Sequence, residues 1–122
     1  MVAAKPLLPS FDAQDLADTA WAMGTLGHKD AAFMGALLVE AKPKLSSLNA
    51  RELADTAWAL AKLGYKDAAF MGALLQAAMP ELPNCNDTEV SRLCFALFKL
   101  GIKDAAFTSA LAARHDQLVK GE

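Results

Sequence analysis

Apolar residues recur along this chain at helical spacing, and the same pattern is written three times. Leu16 to Leu38 reads LADTAWAMGTLGHKDAAFMGALL, Leu53 to Leu75 reads LADTAWALAKLGYKDAAFMGALL, and Val90 to Ala112 reads VSRLCFALFKLGIKDAAFTSALA. Trp21, Trp58 and Phe95 stand 37 residues apart, as do Gly27, Gly64 and Gly101, and Phe33, Phe70 and Phe107. A fixed period of about 20 to 50 residues is the signature of a repeat array, in which one supersecondary unit buries its apolar face against the next. Within each unit the pattern predicts two helices. Asn49 with Glu52, and Asn86 with Glu89, have the spacing of a capping box that opens a helix, and Asp12 with Asp15 is a weaker form. The first helix should stop at Gly27, Gly64 and Gly101, because glycine enters the left-handed conformation that closes a helix. Asp30, Asp67 and Asp104 then stand where a second helix wants a cap or a first-turn acid. That helix should end near Pro43 and Pro80, since an interior proline costs about 3 kcal/mol.

The expected fold is therefore all-α: an α-solenoid of three 37-residue helix-turn-helix repeats, six helices in all, in a right-handed superhelical stack. One domain spans 1–122, with repeats at 12–48, 49–85 and 86–122. Residues 1–11 resemble the tail of a preceding repeat, or a minimal N-terminal cap, because Ala4 to Pro9 aligns with Ala41 to Ser46 and with Ala78 to Pro83. The third unit diverges from the other two and ends in a polar tail, Arg114-His115-Asp116-Gln117, as a C-terminal capping repeat would.

On a helical wheel the first helix has one narrow polar strip. Leu16, Ala20, Met23 and Leu26 form an apolar side, which Ala13, Ala17, Gly24 and Trp21 extend. So wide an apolar arc implies contact with the partner helix and with units on both sides. The strip holds Gln14, Asp18 and Thr25 in the first unit, Arg51, Asp55 and Lys62 in the second, and Thr88, Arg92 and Lys99 in the third. These are among the positions at which the near-identical units differ. Stacked side by side, they would form a ladder of changing polar groups, the device by which modular helical repeats read one RNA base per unit. The bland alternative is an ordinary solvated helix face. The Trp21, Trp58 and Phe95 row is expected to pack between units rather than to stack on bases. On the second helix, Gly35, Gly72 and Ser109 with Val39, Gln76 and Ala113 read as small-residue packing between units, or else as a close approach for another protein.

Composition narrows the classes. A net charge of −2 argues against a strongly basic nucleic-acid module but leaves room for a local stripe. On the strip, Arg51, Lys62, Arg92 and Lys99 outnumber Asp18 and Asp55, although Asp15, Glu52 and Glu89 border it and reverse the sum. No apolar run reaches the roughly 18 residues of a membrane span. The opening MVAAKPLLPS suits neither a signal peptide nor a transit peptide, so work in an organelle would imply a mature form or an excerpt. Cys85 and Cys94 fall in slots that are apolar in the other units, so both are expected to be packed and reduced, with no zinc site. His28 is expected to cover a turn and His115 to lie in an exposed tail; neither has the companions of a catalytic group. No catalytic or metal-ligating residues, no cofactor and no small-molecule substrate are expected.

The text LADTAWALAKLG resembles the octotricopeptide and heptatricopeptide repeats, typified by LANTxWALAxLG, with relatives among FAST-kinase-domain proteins. The likeness covers nearly the whole chain, and the 37-residue step fits the heptatricopeptide pattern better. Asp18, Asp55 and Arg92 stand where that pattern has Asn, and Lys-Asp-Ala-Ala-Phe replaces the Pro-rich, Trp-containing start of many octotricopeptide second helices. The resemblance implies an organellar RNA-binding solenoid, in chloroplast or mitochondrion, acting in transcript stability, processing or translation. Its partners would be single-stranded or ribosomal RNA and other proteins of a large assembly, with the strip facing the RNA. A protein-interaction scaffold using the helical faces is the competing expectation.

Overall fold

The computed structural model describes residues 12–27 and 30–120 and shows six α-helices. The first helix of each unit is Ala13–Leu26 (α1), Ala50–Leu63 (α3) and Asp87–Leu100 (α5); the second is Ala31–Ala41 (α2), Ala68–Ala78 (α4) and Ala105–Val119 (α6). Local chemistry sets their ends. Asp12, Asn49 and Asn86 each accept from the backbone N–H three residues on, and Asp15, Glu52 and Glu89 reach back to the cap, so all three units close a full capping box. Gly27, Gly64 and Gly101 end the helices at φ of 67°, 67° and 65°. Asp30, Asp67 and Asp104 cap the second helices, each accepting from the N–H of Phe33, Phe70 or Phe107 at 3.0 Å. Those three phenylalanines are fully buried.

After α2 and α4 the chain tightens into 3-10 turns, Lys42–Ser47 and Met79–Asn84, with Pro43 and Pro80 at their starts, where a missing N–H costs nothing. In the third unit Gln117 takes the proline slot, and α6 runs on for 15 residues where α2 and α4 have 11. The residues of Ala4 to Pro9 and His28 lie outside the described ones. No helix among those described is long and apolar enough to cross a membrane.

Helix α3 packs between α1 and α5, and each second helix packs on its own first helix. Burial then divides every first helix into four stripes about a quarter-turn apart. Leu16 and Met23, with their counterparts, face the second helix and are buried in every unit. One flanking stripe is Ala13, Ala17, Ala20 and Gly24 in α1 and Ala50, Ala54, Ala57 and Ala61 in α3, turned toward the following unit. The opposite stripe is Glu52, Thr56, Ala59 and Leu63 in α3 and Glu89, Leu93, Ala96 and Leu100 in α5, turned toward the preceding unit and buried throughout.

Small residues on one side let the helices approach closely. A Cβ placed on Gly24 would sit 2.7 Å from Ala59 Cα. Two expectations need correction for this reason. Leu26 belongs to the stripe turned toward a preceding unit, and α1 is first in the described row, so it is 74% exposed while Leu63 and Leu100 are buried. Cys94 lies on the stripe turned toward a following unit, and it is exposed at the other end of the row; Cys85 is buried as expected.

Candidate functional site

The fourth stripe faces solvent, and it contains more than polar residues. The spacing i, i+4, i+7, i+11 puts Gln14, Asp18, Trp21 and Thr25 on one line of α1. Arg51, Asp55, Trp58 and Lys62 occupy the same line of α3, and Thr88, Arg92, Phe95 and Lys99 that of α5. The aromatic row, which hydrophobicity assigned to the apolar arc, thus stands in the middle of the strip. Position along the helix would have found it; residue type misled.

Trp21 and Trp58 also pack between units, as expected, whereas Phe95 is exposed. The rings of Trp21 and Trp58 meet with centroids 4.6 Å apart and a 34° tilt. Arg92 reaches from α5 across both, its guanidinium carbon 4.6 Å from the Trp21 centroid and 5.9 Å from that of Trp58. Lys62 Nζ lies 5.6 Å from the Trp58 centroid. Such cation–π contacts contribute about 0.5 to 2 kcal/mol, more as water is excluded. Side chains of three helices therefore form one cluster.

Asp55 anchors that cluster from below. Its two carboxylate oxygens accept from Nη1 of Arg51, at 3.3 Å, and from Nη1 of Arg92. Asp55 is buried, so it stands as a counter-ion to two guanidinium groups and not as an open reading position. The other eight strip residues are placed differently. Gln14, Asp18, Thr25, Arg51, Lys62, Thr88 and Lys99 are exposed, and Arg92 is half-buried. Beside Phe95 an open hollow of about 470 Å³ is lined by Trp58, Asp87, Thr88, Ser91 and Arg92.

The acids that bordered the strip lie elsewhere. Asp15, Glu52 and Glu89 are on the stripe turned toward the preceding unit and accept from backbone N–H groups in the capping boxes; Glu52 and Glu89 are buried. The first unit of the strip adds the exposed carboxylate of Asp18, and Asp87 lines the hollow, while the second and third units present guanidinium and ammonium groups beside planar rings. That chemistry suits an unstacked base with its phosphate.

Elsewhere the side chains suit structure more than chemistry. Gly72, Ser109, Val39, Gln76 and Ala113 are exposed and Gly35 is half-buried, so this side of the second helices is turned to solvent and not packed between units. His115 is exposed on α6. Burial, and then the nearby Glu89 carboxylate, push the Cys85 thiol up to about 11, and burial also raises that of Cys94, so neither is an activated nucleophile. Among the described residues no three His, Cys, Asp or Glu side chains are grouped as a metal site.

A row of paired helices exposing one ladder of side chains defines an all-α module. Residues 2–117 match the family described as the Tbc2 translation factor, N-terminal domain, and the chain belongs to that family. It thereby carries a translation-factor domain. No curated protein matches the chain, and no solved structure does.

Proposed function

We propose that this chain binds single-stranded RNA along the exposed strip of α1, α3 and α5, as a binding module and not an enzyme. The observation that carries the reading is the shared line of Arg51, Lys62, Arg92 and Lys99 with Trp21, Trp58 and Phe95, while three bordering carboxylates turn to their own helix caps. Membership of a translation-factor family supports a role in translation or a neighbouring step of RNA metabolism. The likeness of LADTAWALAKLG to octotricopeptide and heptatricopeptide repeats supports an organellar setting, chloroplast or mitochondrion, within a ribonucleoprotein.

The test titrates a single-stranded RNA pool against the chain at several salt concentrations. Each phosphate neutralised contributes roughly 0.7 to the slope of log affinity against log salt for a single strand. The exposed pair Lys62→Glu and Lys99→Glu leaves the Asp55 network in place. It should weaken binding at least tenfold and flatten the slope by about 1.4. Binding that ignores both changes removes the strip from the reading. Retention of a protein partner that resists nuclease would favour the scaffold alternative.

A further inference from the structure

The outer face of the third unit differs from the faces that join units one to two and two to three. In α1 and α3 the stripe turned toward the following unit is alanine or glycine at every position, and α3 or α5 covers it. In α5 the same stripe reads Asp87, Ser91, Cys94 and Phe98, all exposed. Phe98 takes the slot of Gly24 and Ala61 and is 87% exposed. Its ring forms one wall of a largely apolar hollow of about 500 Å³, whose other walls include Cys94, Ile102, Thr108, Ala112, His115 and Asp116.

This face is poorly shaped for another unit in the same register. Where α3 crosses α1, Gly24 has no room even for a methyl group, because its Cβ would meet the Ala59 backbone. A further helix at that spacing would collide with the Phe98 ring. The 3-10 turn after α2 packs against α4, and the one after α4 packs against α6, so these turns belong to the stacking. Gln117 replaces the proline that starts them, and α6 continues instead to Val119.

A protruding ring beside a hollow of suitable size on the same face is self-complementary. It is the arrangement that a two-fold interface needs, since residue i of each copy meets residue j of the other. We propose that two copies of this chain associate through the outer faces of α5 and α6, each inserting Phe98 into the hollow of the other. The helical pair measures about 21 Å along each axis and about 20 Å across, which gives roughly 400 Å² of projected contact per copy. The two copies together would bury about 800 Å², below the roughly 1,200–2,000 Å² of stable specific interfaces, so the association is weak and transient. The face is continuous in position with the inter-unit interfaces of the row, and it adjoins the proposed RNA-binding strip, since Asp87 and Ser91 also line the hollow beside Phe95.

Sedimentation velocity on the nuclease-treated full chain, from about 1 to 500 μM, tests this. A monomer–dimer equilibrium is expected, with no larger species. Phe98→Ala should weaken it at least tenfold, and Ala112→Arg, an exposed change on the hollow side, should do the same with circular dichroism unchanged. In a Cys85→Ala background, a short bis-maleimide should join Cys94 to Cys94. A chain that stays monomeric at every concentration overturns the proposal, as does a dimer indifferent to both substitutions. Open-ended growth that links Cys94 to an Ala22→Cys residue also overturns it, because that is head-to-tail stacking.

Discussion

Asp55 and Arg92 hold the same position in consecutive units, and the guanidinium of Arg92 donates to the carboxylate of Asp55. Near-identical repeats would place like residues side by side along the row. Here the third unit substitutes a cation for the acid, so stacking creates an ion pair where two aspartates would have repelled. The same guanidinium lies over both tryptophans, which ties α5 to α3 and α1 at once. One divergent residue thus serves packing and surface charge together.

Removing the acid should therefore separate stability from RNA affinity. Asp55→Ala leaves Arg51, more than half exposed, and Arg92 without their counter-ion. Both can rehydrate, so the expected loss is about 1 to 2 kcal/mol, read by urea denaturation. RNA affinity should rise and its salt slope steepen, because two cations gain their full field. A fall in affinity with no change in fold would make Asp55 a direct RNA contact.

Gly24 offers a test of the close approach between α1 and α3. Gly24→Ala should gain about 1 kcal/mol in helix propensity and lose more in strain, since its methyl would meet backbone and not a movable side chain. A net loss of about 1 to 3 kcal/mol is expected in thermal or urea unfolding. Ala61→Gly, at the same slot of the next unit, should cost the propensity and a buried methyl group, about 2 kcal/mol. A gain in stability from Gly24→Ala would contradict the packing described for Gly24.

These contrasts mark what was legible in the chain before its structure. Helix ends were legible because their causes are local: Asn49 and Glu52 lie three residues apart, and Gly64 closes the same helix without help from elsewhere. The six helices and their pairing follow from such signals. Leu26, Cys94 and Phe98 were not legible, because their exposure depends on where the unit stands in the row, and periodicity treats equivalent slots alike. Trp21 and Trp58 were placed by apolarity with the core, whereas their angular position puts them on the strip. The burial of Asp55 needed Arg92, 37 residues away, to be brought alongside.

Stability along the row should be uneven. Helix α4 buries Phe70, Met71, Leu74, Leu75 and Ala78, while α6 buries Phe107 and Leu111 alone. Phe70→Ala removes a ring from the middle unit and should cost about 3 to 5 kcal/mol, a large share of the 5 to 15 typical of a domain. Amide exchange should be fastest in α6 and slowest in α3. Uniform protection across all six helices would refute the nearest-neighbour picture of the array.

The two thiols should part company with pH. Cys85 is 2% exposed, its Sγ donating to Glu81 O at 3.6 Å, and Arg114 Nε holds its carbonyl at 2.9 Å. Its pKa, raised from 9.0 to about 11 in the fold, means that the folded state keeps the proton after the unfolded chain has released it. Stability from this group is intact below pH 9 and falls between pH 9 and about 11, by roughly 3 kcal/mol at most. The unfolding free energy of the protein, minus that of Cys85→Ala, should shrink across this window and stay flat below it. Subtracting the variant cancels the lysines that titrate in the same range. At pH 8 a disulfide reagent should label Cys94 in the folded protein and leave Cys85 untouched until denaturant is added; a rise in the difference toward pH 11 would mean that the folded protein favours the Cys85 thiolate.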